Sequence, residues 1–465
     1  MVNEKKSDIC IIGAGIGGLT AGALLAKQGY SVKIFEKESL IGGRALSLRG
    51  GSLTMESYTK LLSQFNMNIS YSNPSLESIF DKNLLDGYTL DLGFHAIGGG
   101  VVSKIGSIFS GFNEHIEMLE SNTGFIKPDG FDMPFLSTRD KIRMFPQILR
   151  LLLSGESTMR KLDGIPMTKT IEKYGKGKMK VTLEVFSRAV TTVNNLDRIS
   201  TGEMFRAQKN LVKGSKPVGY PKQGLHRASQ TLVDVIKRNG GEIFLKHCVK
   251  EIIIDGHKAT GVVVDDGEYF FKTIISDILV QHLFMIADEK QFPAEYVRNI
   301  KSLTGTGGLC AYYSLKKVDP DLLGKTFLFI ERDVGVDGND AVGMIDFMTA
   351  LPESGLAPPS HHLVQSYIIC TPDEAKDKKT LKTLKELLDK NIERLIPDFR
   401  SRLRWALYPA TWHLDGVAKT IDNIKPEITT PVENLYIIGD CVKAPGIGIN
   451  CALNSARMLT DILSS

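Results

Sequence analysis

Three glycines, Gly13, Gly15 and Gly18, stand at G-x-G-x-x-G spacing between the apolar run "DICII" and the small-residue stretch "GLTAGALLAKQGY". That spacing serves phosphate binding. Gly13 permits a tight turn, Gly15 lets a pyrophosphate approach the backbone, and Gly18 lets a helix pack closely, so that a helix N-terminus faces negative phosphates. A second apolar run, "SVKIFEK", ends in Glu36 and Lys37. An acid at that point can accept hydrogen bonds from both ribose hydroxyls of an adenosine and would repel a 2′-phosphate, which disfavours NADP. The residues leave FAD and NAD as the candidate nucleotides.

The elements that must position these groups are a buried strand over "DICII", a glycine turn, a helix with small residues against a sheet, and a second strand ending at Glu36. Directly after them comes "ESLIGGRALS". Gly42 and Gly43 let the backbone lie against a ribityl-pyrophosphate, and Arg44 offers planar donors to a phosphate or a flavin edge.

With this Gly-Gly-Arg after the ribose-binding acid, the sequence resembles the superfamily of FAD-containing amine oxidases and phytoene-desaturase-like enzymes. The resemblance implies FAD. It extends to "TPVENLYIIGDCVKAPGIGINCALNSARMLTDIL", similar to the superfamily's closing flavin motif, where Asp440 is the implied ligand for ribityl or pyrophosphate groups. Gly446, Gly448 and Asn450 then open the last helix, whose positive end would face the flavin pyrimidine, where negative charge gathers on reduction. A middle segment also matches. "LHRASQTLVDVIKRNGG" reads as an amphipathic helix stopped by Gly240 and Gly241, followed by alternating strands in "EIFLKHCVKEIII" and "ATGVVVDDG". The resemblance makes Val249 the residue whose backbone meets the adenine.

The expected fold class is α/β: a discontinuous Rossmann-like FAD-binding domain from residues 1–90, 215–285 and 430–465, with a mixed α+β substrate domain from 91–214 and 286–429. The active site is expected where the two meet. A length of 465 residues suits two joined domains. No second G-x-G-x-x-G follows a strand, since "LTGTGGLC" has the wrong spacing. Electrons would therefore pass to or from oxygen, a quinone or a transient carrier.

Hydrophobic residues make up 42% and charged residues 24% of the chain, an ordinary globular balance. A net charge of +4 gives no support to a nucleic-acid partner. The six cysteines are scattered without a CxxC pair, as in buried free thiols, and no metal site is expected. "MVNEKKSD" runs at once into a strand pattern and no apolar run reaches a membrane span, so the expected location is cytoplasmic. One segment points to a membrane surface as well. Residues 139–153 place Ile142, Phe145, Ile148, Leu149 and Leu152 on one helical face and Arg143 and Arg150 on another, which fits either docking on an anionic bilayer or packing on the substrate domain.

Three residues are catalytic candidates. His95, in "DLGFHAIGGG", follows a strand that passes the flavin in the resembled enzymes, and is either an acid or base or a structural histidine. Tyr408 and Trp412, in "RWALYPATWHLDGVAK", are either the aromatic wall of a substrate pocket or core packing. The resemblance implies hydride transfer at a carbon-carbon bond, desaturation or saturation, of an apolar small-molecule or lipid substrate such as an isoprenoid or carotenoid. The alternatives are a flavin amine oxidase, a redox-neutral double-bond isomerase, and a non-enzymatic lipid-binding escort of the GDP-dissociation-inhibitor type.

Overall fold

The computed structural model describes residues 7–93, 97–98, 104–153, 155–208 and 218–464. Strand β1 (Ser7–Ile12), helix α1 (Ile16–Lys27) and strand β2 (Val32–Glu36) form the expected strand-turn-helix-strand unit. Ten of the twelve residues of α1 are buried, because small residues let it sit on the sheet and between the helices His226–Arg238 and Ile449–Ser464. Beside β1 lies strand Gly267–Ser276 in parallel, with Ile12 opposite Ser276. The seven-stranded sheet runs Glu242–Leu245, β2, β1, Gly267–Ser276, Lys258–Val264 and Glu251–Asp255, with Leu435–Ile437 parallel to Gly267–Ser276. Three sequence segments far apart in the chain therefore build one dinucleotide layer.

The second layer is an eight-stranded sheet in the order Met67–Asn73, Leu403–Thr411, Gly307–Leu315, His362–Cys370, Ala341–Asp346, Thr326–Glu331, Thr123–Lys127 and Gly130–Asp132. All nine residues of Gly307–Leu315 are buried because both faces of the sheet are covered. On one face, helix Lys378–Leu395 lays down Leu381, Leu384, Leu388 and Ile392 at helical spacing. Asp377 starts that helix by accepting the Thr380 N–H at 2.8 Å. On the other face, helix Lys178–Thr191 packs Val185 against Cys310, Leu328, Met344 and Tyr367.

The sheets redraw the expected boundaries. Strand Met67–Asn73, expected within the FAD-binding part, pairs with Leu403–Thr411 at the edge of the eight-stranded sheet. Conversely, Phe292, Ile300 and Leu303, expected in the substrate part, pack into the core of the dinucleotide layer. The chain crosses between layers more often than its motifs indicate, because apolar strand patterns do not reveal which sheet they join.

Helix Thr138–Leu153 forms where the sequence places it, and leaves Ile142, Phe145, Leu149 and Leu153 exposed, at 67%, 58%, 42% and 78%. Among the described residues, no helix is long and apolar enough to cross a membrane.

Candidate active site

The C-terminal ends of β1, β2 and Gly267–Ser276 open onto a cavity of about 560 Å³ between the two layers. This is the place where open parallel sheets bind ligands. One end is the glycine turn. Gly13 has φ +103°, a conformation L side chains rarely adopt, and the α1 N-cap Gly15 carries no side chain to satisfy the helix's first N–H groups. Gly13, Gly15 and Gly17 line the cavity, and Gly18 packs directly beneath, against the Gly13 carbonyl.

At the end of β2, Glu36 is anchored rather than free. Its Oε2 accepts the Ala14 N–H at 2.7 Å and its Oε1 accepts the Glu38 N–H at 2.9 Å, while burial pushes its carboxyl above the ordinary range. Each carboxylate oxygen keeps a further lone pair for a ribose hydroxyl. Lys37, Gly42, Gly43, Val249, Gly448 and Asn450 also line the cavity. Gly446 differs. It shapes the turn before the last helix with φ +108°, tight against Asn450, and is not part of the wall. Asn450 holds that helix to the strand near the cavity by donating to the Gly98 carbonyl at 2.8 Å.

Arg44 and Asp440, 396 residues apart, meet as an ion pair at 2.6 Å. Asp440 also accepts the Gly416 N–H at 2.9 Å, and Lys425 Nζ donates to its carbonyl at 2.9 Å. The Arg44 guanidinium and this hydrogen bond overcome burial and hold the Asp440 carboxyl below its usual range, and Asp440 in turn raises Arg44. The sign follows: stability from Asp440 is fully present above the ordinary carboxylate range near pH 4, and is lost as pH falls through the lower folded value. Arg44→Met should cost about 2–3 kcal/mol at pH 7, because a buried carboxylate loses its cation while the exposed edge of Arg44 softens the loss. Urea unfolding should show that gap constant from pH 5 to 8 and shrinking below pH 4. A gap that does not change with pH would mean that the pair is not its source.

The other end of the cavity is apolar. Phe186, Ala189 and Val190 from helix Lys178–Thr191 face Leu328, Met344 and Tyr367, which are neighbours in one row across three strands of the sheet. None of these six was singled out in the sequence. Leu328, Met344 and Tyr367 come from three separate strands and read as ordinary core, and only the strand register reveals a shared wall. His413 also lines the cavity. Burial and the nearby Arg44 push its imidazole down to about 4, so it is neutral at neutral pH.

The aromatic candidates lie elsewhere. Tyr408 is 2% exposed and donates to Asp389 at 2.6 Å within the core under helix Lys378–Leu395. Its strand alternates, sending Ala406, Tyr408 and Ala410 to that helix and away from the cavity. Trp412 packs against the same core with Lys376 Nζ 5.6 Å from its ring centroid, outside the main cavity. Tyr408 is corrected to a structural role, whereas Trp412 lines a second cavity of about 450 Å³ that shares Thr192 and His413 with the first. His95 lies outside the described residues. Just before it, the backbone is held in place by Tyr312, whose hydroxyl reaches the carbonyls of Asp91 and, at 2.6 Å, Gly93.

A parallel sheet with a glycine turn, a strand-end acid and a cavity against a second sheet defines a dinucleotide-dependent two-layer fold. The chain belongs to the flavin containing amine oxidoreductase family, whose pattern matches residues 16–459. The cradle fits FAD by its own chemistry: a helix N-terminus at α1 whose N-cap glycine supplies no side-chain acceptor, acceptors at Glu36, and a cation at Arg44. The family is flavin containing, and FAD is the cofactor.

The chain is 24% identical over 344 residues to a phytoene desaturase of Cercospora nicotianae, covering 69% of this chain and 52% of the relative. It is 23% identical over 465 residues to a 15-cis-phytoene desaturase of Solanum lycopersicum, covering 94% and 74%. The chain spans about half the length of several of the curated relatives it matches. In fold it is similar to an oxidoreductase from Methanosarcina mazei, with TM-score 0.71 at 20% identity over 98% of this chain and 100% of the other. A putrescine oxidase gives TM-score 0.64 at 13% identity over 99% of both chains.

Proposed function

We propose that the protein is an FAD-dependent oxidoreductase acting at a carbon-carbon bond of an apolar, isoprenoid-like substrate. The observation that carries this reading is the apolar chamber of Phe186, Ala189, Val190, Leu328, Met344 and Tyr367, continuous with the nucleotide cradle. Bound FAD would supply hydride acceptance or donation at that junction. The chain's own part is to hold the bond in place and keep water out, which apolar walls do without a charged side chain. The names of the relatives, phytoene and hydroxycarotenoid desaturases, support the same substrate class.

The exposed apolar face of helix Thr138–Leu153 suits a bilayer surface as the source of such a substrate. The aromatic pair singled out in the sequence for an amine-oxidase cage, Tyr408 and Trp412, does not line this cavity, whose apolar end takes its aromatic residues from Phe186 and Tyr367. An escort that dispenses with FAD has no use for the intact cradle at Glu36, Arg44 and Asp440.

The test is anaerobic. A polyene or prenyl lipid added in detergent micelles to the FAD-loaded protein, oxidised or dithionite-reduced, should bleach or restore the flavin absorbance within seconds to minutes. A spectrum that responds to diamines and not to any polyene or prenyl lipid would replace this reading with the amine oxidase.

A further inference from the structure

Asp277 was not among the residues singled out in the sequence, yet it stands at the centre of the cradle. It follows strand Gly267–Ser276, and its N–H donates to the Ile12 carbonyl at 2.8 Å, which places it beside the glycine turn. Its Oδ2 accepts the Gly18 N–H at 2.7 Å, giving α1 the cap that Gly15 cannot. A Cβ on Gly15 would lie 2.6 Å from the same oxygen, so the carboxyl group rests directly against the turn that receives the pyrophosphate. The side chain lines the cavity wall.

We propose that Asp277 is a proton-dependent gate for FAD: neutral, it donates its O–H toward the pyrophosphate, and ionised, it occupies the helix N-terminus in the pyrophosphate's place and repels it. FAD binding above neutrality then takes up one proton from solvent onto the Asp277 carboxylate, with no other bond made or broken.

The surroundings agree. Burial, with Asp440 and Glu36 nearby, raises the Asp277 carboxyl to about 7, against the lowering effect of the Gly18 N–H and Arg44. The charged and titratable groups facing it are Glu36 at the end of β2, Arg44 after Gly43, and Asp440 and Cys441 after strand Leu435–Ile437. Cys441 is pushed up to about 12. Lys37 and His282 line the same cavity further out, and burial with Lys37 lowers His282 from its ordinary value. With its imidazole pushed down to about 4, His413 stays neutral across the interval from pH 6 to 8.5.

The test uses the full chain stripped of flavin and titrated with FAD, read by quenching of flavin fluorescence. Between pH 6 and pH 8.5, Kd should rise about 30-fold, the range available to one group titrating near neutrality in the free protein. Calorimetry in phosphate and in Tris at pH 8.5 should report about one proton taken up per FAD, and close to none at pH 6. Asp277→Asn, which keeps the size and an N–H donor, should bind FAD with the low-pH affinity at both values and take up no proton. A wild-type Kd and proton count indifferent to pH would overturn the proposal without any variant. Equal pH slopes in wild type and a folded Asp277→Asn would overturn it too. The readout needs no substrate, so it stands or falls apart from the proposed reaction.

Discussion

Gly18→Ala should yield a protein that leaves gel filtration colourless, with FAD affinity weakened at least 100-fold. The reason is backbone against backbone. A Cβ at residue 18 would fall well inside contact distance of the Gly13 carbonyl and close to the Asp277 side chain, at 3.1 Å from Oδ2. No rotamer change relieves a clash with a carbonyl, so α1 must move off β1. That separates the N–H groups of its first turn from the strand ends where Glu36 and Arg44 wait, and a shift of about 1 Å is enough to spoil oriented binding. The same displacement overpacks a core in which Leu19, Ala21 and Ala23 are fully buried, at a cost of about 1–3 kcal/mol. Thermal melting of the flavin-free proteins checks the second effect, and Gly111→Ala is the matched control. Its Cβ would meet nothing within 4 Å, so it should retain flavin. Equal flavin retention by the two variants would remove the argument that close packing at Gly18 sets the cradle.

The nucleotide end of the cavity was legible in the sequence because its chemistry is local. Gly13, Gly15, Gly18 and Glu36 sit within one strand-helix-strand unit, and each type has a direct physical use there. Arg44 and Asp440 were legible only as separate motif positions; their ion pair depends on a fold that closes across 396 residues. Asp277 left a weaker signal. An acid at the end of an apolar run, "TIISD", becomes informative once that run is known to lie parallel beside β1. Tyr408 shows the converse. An aromatic-rich segment before a flavin motif suggests a pocket wall, but strand alternation decides which face a side chain takes, and the start of the alternation is set by pairing with Gly307–Leu315. The layer boundaries failed for the same reason, since Met67–Asn73 carries no mark of the sheet it joins.

The apolar chamber was hidden in the sequence, and its assignment carries the second large effect. Ala189→Trp should leave FAD affinity and the flavin spectrum unchanged while reducing substrate-dependent bleaching at least 100-fold. Ala189 lies on the cavity side of helix Lys178–Thr191, with Phe186 one turn before it, opposite the row formed by Leu328, Met344 and Tyr367. It is partly exposed to the cavity, so an indole can enter open space rather than force the core apart. The helix anchor should survive the change: Arg188 points the other way, donating to the Asn194 carbonyl at 2.7 Å and pairing with Asp340 at 3.0 Å. The added bulk competes with substrate for the same volume, and an apolar ligand has few polar contacts with which to find another pose. A cradle built by β1, α1 and the closing helix does not include residue 189, which is why the two effects separate. Retained bleaching in a flavin-loaded Ala189→Trp would place the substrate elsewhere and remove the observation on which carbon-carbon chemistry is proposed. Loss confined to the substrate half-reaction would support the chamber as the place where substrate binds, because the added indole fills that space and leaves the FAD cradle untouched.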